Sequence, residues 1–273
     1  MDKNELREQI CRLTHLDDML FRGNGKRIQK QLNGNGLIAS SPYNHIVSKT
    51  KFAFTLAEVL ITLGIIGIVA AMTMPMLLAK WNEAATVSKV KKFYSTMSNA
   101  MIRIVDENGT LDTWDYQNPS DTVNSTPNSQ MMGDKFAPHL KVLKNCGLQS
   151  NCMLVVDYRH MNGVVWRTYS NYRDRFYYKL ILNDGSHLII KSQGKACKMK
   201  NHGGYLNTCG YILYDVNGSK EPNMMGKDLF VFEILKNSIV PARHDNGTCS
   251  PVTTGDTGAC YIMLHGNMNY LHE

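Results

Sequence analysis

The sequence predicts an α+β protein: a long N-terminal membrane-spanning α-helix packed on a C-terminal antiparallel β-sheet domain. Three observations predict it. Val59 to Ala79 is a run of 21 residues without a charge; as a helix it covers about 32 Å at ~1.5 Å per residue, close to the ~30 Å hydrocarbon core of a bilayer. From Leu77 on, apolar residues recur at Trp81, Ala84, Val87, Val90, Tyr94, Met97, Met101 and Ile104, in steps of three and four that trace one helical face. Further on, short runs of β-branched and aromatic residues are separated by Gly, Asn and Asp, the punctuation of hairpins.

The elements follow in order as residues 1–53, 54–79, 80–108 and 109–273. The first segment is mostly polar. It holds nine Lys/Arg against five Asp/Glu, so +4 of the chain's formal net charge of +7. "RLTHLDDMLFR" suits a short amphipathic helix, and "NGNG" and "SSPYN" read as loop. Lys49 and Lys51 precede the apolar run, so the positive-inside rule keeps the N-terminus in the cytoplasm and exports the body. That body is near neutrality at +3, a poor footing for nucleic-acid binding by bulk charge.

The apolar run and the striped segment predict one helix from about residue 55 to 107, roughly 80 Å long. Pro75 removes a backbone donor and is the expected site of a kink. Asn108-Gly109 is the expected stop. Residues 109–134, rich in Asn, Ser, Thr, Asp and Pro, read as a surface loop. "FYYKLILNDGSHLIIK" (176–191) reads as a hairpin turning at Asn183-Asp184-Gly185. "YILYDV" (211–216) and "DLFVFEI" (228–234) read as two more strands, and "VVDYR" (155–159) and "YIML" (261–264) as weaker ones.

Cys11 lies before the run; Cys146, Cys152, Cys197, Cys209, Cys249 and Cys260 lie after it. An even number on the exported side suggests an oxidising compartment. Six cysteines allow 15 pairings. The simplest are the local closures Cys146–Cys152, Cys197–Cys209 and Cys249–Cys260, with buried free thiols as the alternative. No Cys-x-x-Cys pair points to zinc.

"DVNGSKEPNMMGKDLF" (215–230) is the best candidate for a site. Asp215, Asn217 and Asp228 are oxygen donors on a Gly-containing loop between two strands, and Ca²⁺ takes such oxygens. The alternative is a turn held by Asx hydrogen bonds. The sequence has no P-loop, no His-Glu-x-x-His and no Gly-x-Ser-x-Gly, so a non-enzymatic role is expected. "TYSNYRDRFYYK" (168–179) interleaves aromatics and cations. Stacking on single-stranded DNA and a plain strand with solvated cations are both open to it.

A cleaved secretory signal has a shorter apolar core and stops after it. A plain signal anchor leaves Glu58, just before the run, without a reason. "FAFTLAEVLITLGIIGIVAAMTMP" resembles the prepilin cleavage and methylation motif of type IV pilins and type II secretion pseudopilins. In that family a basic leader ends in a small residue, usually Gly, and Phe-Thr-Leu-x-Glu follows. Here Ala53 takes the small position, and Phe54-Thr55-Leu56-Ala57-Glu58 supplies the rest. Ala53 in place of Gly is a departure.

The resemblance implies a structural subunit of a type II secretion pseudopilus or type IV pilus-like filament. It implies cleavage between Ala53 and Phe54 by prepilin peptidase, methylation of Phe54, and assembly through Glu58 meeting a neighbour's Phe54 amine. It implies a helix-kinking proline at Pro75 and calcium in a β loop such as that of Asp215, Asn217 and Asp228. It implies a C-terminal disulfide loop, here Cys249–Cys260. Implied partners are prepilin peptidase, identical or related pilin subunits, an inner-membrane assembly platform and membrane lipid before assembly. Nucleic acid is not expected. The implied location is the inner membrane, with one pass, the N-terminus inside and the globular domain in the periplasm or outside the cell. A leader of 53 residues is long; translation from Met19 or beyond and a discarded cytoplasmic segment both account for it. Two alternatives are open: a minor subunit that primes or tips the filament, and an uncut membrane-anchored domain binding sugar or DNA.

Overall fold

The computed structural model describes residues 55–117, 126–153, 156–168, 176–194, 197, 207–244, 247–250, 255 and 257–272. The chain divides after Thr55 into two units, and the second, Leu56–Glu273, holds the elements described below. Cys11, Ala53, Phe54 and most of "TYSNYRDRFYYK" lie outside the described residues.

Helix α1 runs unbroken from Leu56 to Asn108, 53 residues, with Pro75 inside it. It stops where the sequence predicts. Gly109 takes a positive φ of 75°, and its N–H donates to the Val105 carbonyl at 2.9 Å. A left-handed residue after the last turn satisfies an orphan carbonyl there, and glycine adopts it without a Cβ clash.

Among the described residues eight strands follow: β1 Val142–Gly147, β2 Asp157–Arg159, β3 Val165–Thr168, β4 Tyr178–Leu182, β5 His187–Ser192, β6 Gly210–Asp215, β7 Leu229–Ile234 and β8 Ile239–Pro241. Six form one antiparallel sheet in the order β1-β4-β5-β6-β7-β8, and β2 pairs with β3 apart from it. The fold is the expected α+β arrangement.

The sheet's register explains its core. Tyr178, Ile190, Ile212 and Phe232 are cross-strand partners in one row, and Leu180, Leu188, Tyr214 and Phe230 make a second. All eight are buried and share one core with the α1 residues Val87, Val90, Phe93, Met97, Ala100, Met101 and Ile104. The Phe93 ring stacks on Tyr214 with centroids 3.9 Å apart, a contact that adds to plain area burial.

The opposite face of the sheet is covered too. Ile189, Leu213 and Val231, a third cross-strand row, pack with Tyr158 and Met225 and with the partly buried Met153, Val156, Trp166 and Phe176. Strands β5 and β7 are therefore buried along their whole length. The near-continuous apolar runs "HLII" and "LFVF" have this cause, since a strand buried on both faces has no reason to alternate.

Three expectations need correction. Residues 109–134 are not all loop: a second helix, α2, occupies Thr126–Phe136. "YIML" is not a strand but lies in a third helix, α3, Gly258–His265, closed by Gly266 in the left-handed conformation. Trp81 does not belong to the packed stripe. It is 67% exposed, and burial on α1 begins at Val87.

Candidate functional site: the uncovered helix and an oxygen-rich loop

The first half of α1 is apolar and uncovered. Leu60, Ile61, Leu63, Ile65, Ile66, Ile68 and Leu77 are all more than half exposed. A Cβ added at Gly64 or Gly67 would meet nothing within 4 Å. The helix is long and apolar enough to cross a membrane. Its threonines hide their own polarity: the Thr62 and Thr73 hydroxyls donate to the Val59 and Val69 carbonyls at 3.0 and 2.9 Å, as hydroxyls in apolar helices do. Glu58 stands in the first turn, where the positive end of the helix dipole favours an anion.

The second feature is the loop between β6 and β7, where three sequence-predicted residues come together. The Asp215 carboxylate, 1% exposed, accepts from the Tyr158 hydroxyl at 2.9 Å and from the Asn217 N–H at 3.2 Å. The Asp228 carboxylate, 3% exposed, accepts from the N–H groups of Asn223 and Met224 at 2.8 and 2.6 Å. It also accepts from the Asn217 side-chain amide at 3.2 Å. Burial, and then the neighbouring Asp228, push the Asp215 carboxyl up to about 8. Burial raises Asp228 as well. Both shifts have the sign of a carboxyl group taken out of water.

Sequence reasoning missed Asn223, which is buried at 6% exposure with a positive φ of 50°. Its side-chain oxygen and that of Asn217 are buried without a hydrogen-bond partner. Such an orphan costs about 1–3 kcal/mol. Both belong to the residues that hold Asp228. The Pro-Asn step marks Asn223 as a turn residue, since Asn tolerates the left-handed region, but not as an oxygen donor. Among the described residues, no three His, Cys, Asp or Glu side chains cluster as a metal site. A cation here would take two carboxylates and complete its shell from amide and backbone oxygens.

The loop is tied to its surroundings on three sides. Lys89 of α1 donates to the Val216 carbonyl at 2.9 Å. Arg159 of β2 exchanges backbone hydrogen bonds with Asn223 and Met225 at 3.0 and 2.8 Å. The Tyr270 hydroxyl donates to the Gly226 carbonyl. Disulfides join Cys146 to Cys152, Cys197 to Cys209 and Cys249 to Cys260. The last ties the segment after β8 to α3.

Residues 76–270 match a family of unknown function, DUF6613. The chain belongs to DUF6613. Residues 48–74 of this DUF6613 member match the prokaryotic N-terminal methylation motif. That motif, followed by the long apolar helix, makes it a type IV pilin-like protein of the kind that prepilin peptidase processes. No curated protein and no solved structure matches it. The family match covers the buried half of α1, the sheet and the C-terminal lobe; the motif match covers the uncovered half. The boundary between the two matches, at residues 74–76, falls beside Pro75.

Proposed function

We propose that the chain is a non-enzymatic structural subunit of a type II secretion pseudopilus or type IV pilus-like filament, cut between Ala53 and Phe54 and methylated on Phe54. The observation that carries this is the division of α1: apolar and uncovered over 56–79, buried against the sheet from Val87 on. A helix apolar all round needs lipid or other helices about it. The membrane meets that need before assembly, and neighbouring subunits meet it afterwards.

Glu58 gives the assembly its register. A carboxylate at the edge of the hydrocarbon bears part of the roughly 2.5–3.5 kcal/mol that insertion scales give for a charge at the bilayer centre. A neighbour's Phe54 ammonium, created by the cut, offsets that cost only when two helices align at one axial offset. Buried polar pairs fix register in coiled coils the same way. The subunit would sit in the inner membrane with its N-terminus inside. Its partners would be prepilin peptidase, an assembly platform and other subunits. N-terminal sequencing of the envelope protein tests this. A start at methylated Phe54 supports the subunit, and an intact leader supports a membrane-anchored binding domain instead.

The loop at Asp215 supports a second role, a Ca²⁺ site held by Asp215, Asn217, Asn223 and Asp228. The orphaned amide oxygens favour it: a hard cation uses the very oxygens that otherwise lie buried without partners. Calcium would supply the positive charge that the two carboxylates lack and would lock the loop between β6 and β7. Titrating Ca²⁺ while following the melting temperature tests it, and no shift at millimolar metal removes the site.

A further inference from the structure

We propose that Tyr270 and the C-terminal lobe that carries it position the calcium loop, so that bound calcium and the seated lobe stabilise each other. The lobe comprises α3 and the turn Asn269–Leu271, with Gly255 just before α3. Its contact with the loop is backbone on backbone. A Cβ on Gly255 would lie 2.1 Å from the Met225 carbonyl oxygen. One on Gly258 would lie 2.7 Å from the Gly226 Cα and 3.0 Å from the Tyr270 hydroxyl. Backbone lies against backbone at Gly255–Met225 and at Gly258–Gly226, so a shift of one segment toward the other meets main chain at once.

The segment touched is the one that holds the donors. The N–H groups of Asn223 and Met224 grip Asp228, and Met225 and Gly226 follow at once. The Tyr270 hydroxyl, on a side chain 2% exposed, donates to the Gly226 carbonyl across 44 residues of chain. The lobe has its own anchors. Cys260 is bonded to Cys249, the Tyr261 and Tyr270 rings meet edge to face at 4.9 Å, and His272 lies 3.0 Å from Glu83 of α1. A lobe held in place therefore holds residues 223–226 where a cation needs them. Coupling of two sites is reciprocal, so calcium must hold the lobe equally.

The proposal rests on calcium occupancy of the loop, and the test separates the two. Calorimetric titration of the detergent-solubilised full chain with CaCl₂ compares wild type with Tyr270→Phe, which keeps the ring and removes the hydroxyl. Loss of one hydrogen bond of ~1 kcal/mol corresponds to about fivefold in affinity, and a three- to tenfold weakening is expected. Leu264→Ser, on the exposed side of α3, keeps the wild-type affinity. In the wild type, saturating Ca²⁺ also slows hydrogen exchange of the Gly258 and Tyr261 amides about tenfold or more. Wild-type binding with an equal affinity in Tyr270→Phe overturns the coupling and leaves the calcium site standing. A wild type that does not bind overturns both. If Tyr270→Phe does not fold, exchange in the wild type decides: no slowing on adding Ca²⁺ overturns the coupling.

Discussion

The two halves of α1 are one helix with opposite needs. Over residues 56–79 nearly every side chain is apolar and exposed, and no part of the described fold covers them. From Val87 to Ile104 apolar side chains keep to one stripe, and that stripe is buried under the sheet. The backbone is continuous, so secondary structure does not separate the halves; the pattern does. A stripe specifies one partner surface, here the rows through Tyr214 and Phe232. An all-round apolar surface specifies a solvent, lipid or a bundle of like helices. Among the described residues the second half of α1 finds its partner within the fold, and the first half is the part left for lipid or other helices to cover.

The sharpest way to break this comparison is Glu58→Ala. The variant inserts in the membrane but loses filament assembly tenfold or more, measured by sedimenting sheared filaments and comparing with the membrane-bound pool. Normal filaments from the variant would remove the charge pair. Next in size is a matched pair of truncations. Phe93→Ala, in the buried half, lowers the unfolding free energy by about 3–5 kcal/mol. Ile66→Ala, in the uncovered half, leaves the solubilised monomer within about 0.5 kcal/mol. Denaturant unfolding of both in detergent measures the contrast, and equal losses would mean that the first half has an intramolecular partner.

Much of this was legible in the sequence because the signals are local. The helix stop needed only Asn108-Gly109, and the β4–β5 hairpin needed only Asn183-Asp184-Gly185. What was hidden depends on tertiary contact. Helix α2 reads as loop because "TPNSQMMGD" is polar. It folds because Met132 and Phe136 join the core and because Gly133 lets a Tyr178 ring lie where a Cβ would be 2.1 Å from it. Its Ser129 hydroxyl also accepts the Ser192 N–H at 3.1 Å. Helix α3 was misread since a short apolar run such as "CYIML" has no period that separates helix from strand. Trp81 lies in step with the stripe yet is exposed, because periodicity gives a face and not the point where the sheet begins. In the candidate site, Asp215, Asn217 and Asp228 were visible from spacing. Asn223 was not, because only the folded loop makes its side-chain oxygen an orphan.

Smaller effects sharpen the loop's side of the comparison. Calcium at about 100 times its dissociation constant adds ~2.7 kcal/mol to the folded state, a rise of roughly 5–10 °C in melting temperature at ~2–4 °C per kcal/mol for a unit of this size. Asp228→Asn abolishes the rise, as differential scanning calorimetry with and without chelator would register. The smallest effect is on pH. In metal-free protein the Asp215 carboxyl titrates near 8 when folded and near ~3.9 when unfolded. Between those values the folded state holds the extra proton, so this group's stabilisation is full at low pH and is lost as pH rises towards 8. Asp215→Asn flattens that decline in melting temperature measured in chelator from pH 5 to 8. An unchanged slope would show that Asp215 is not the group responsible.

The most direct measurement of the central claim is the mass of the N-terminal peptide from protein isolated out of its native envelope. The account predicts a chain that begins at Phe54 and carries one methyl group on its amine. A chain that retains Ala53 and the segment before it, found as a lone membrane protein, would contradict it.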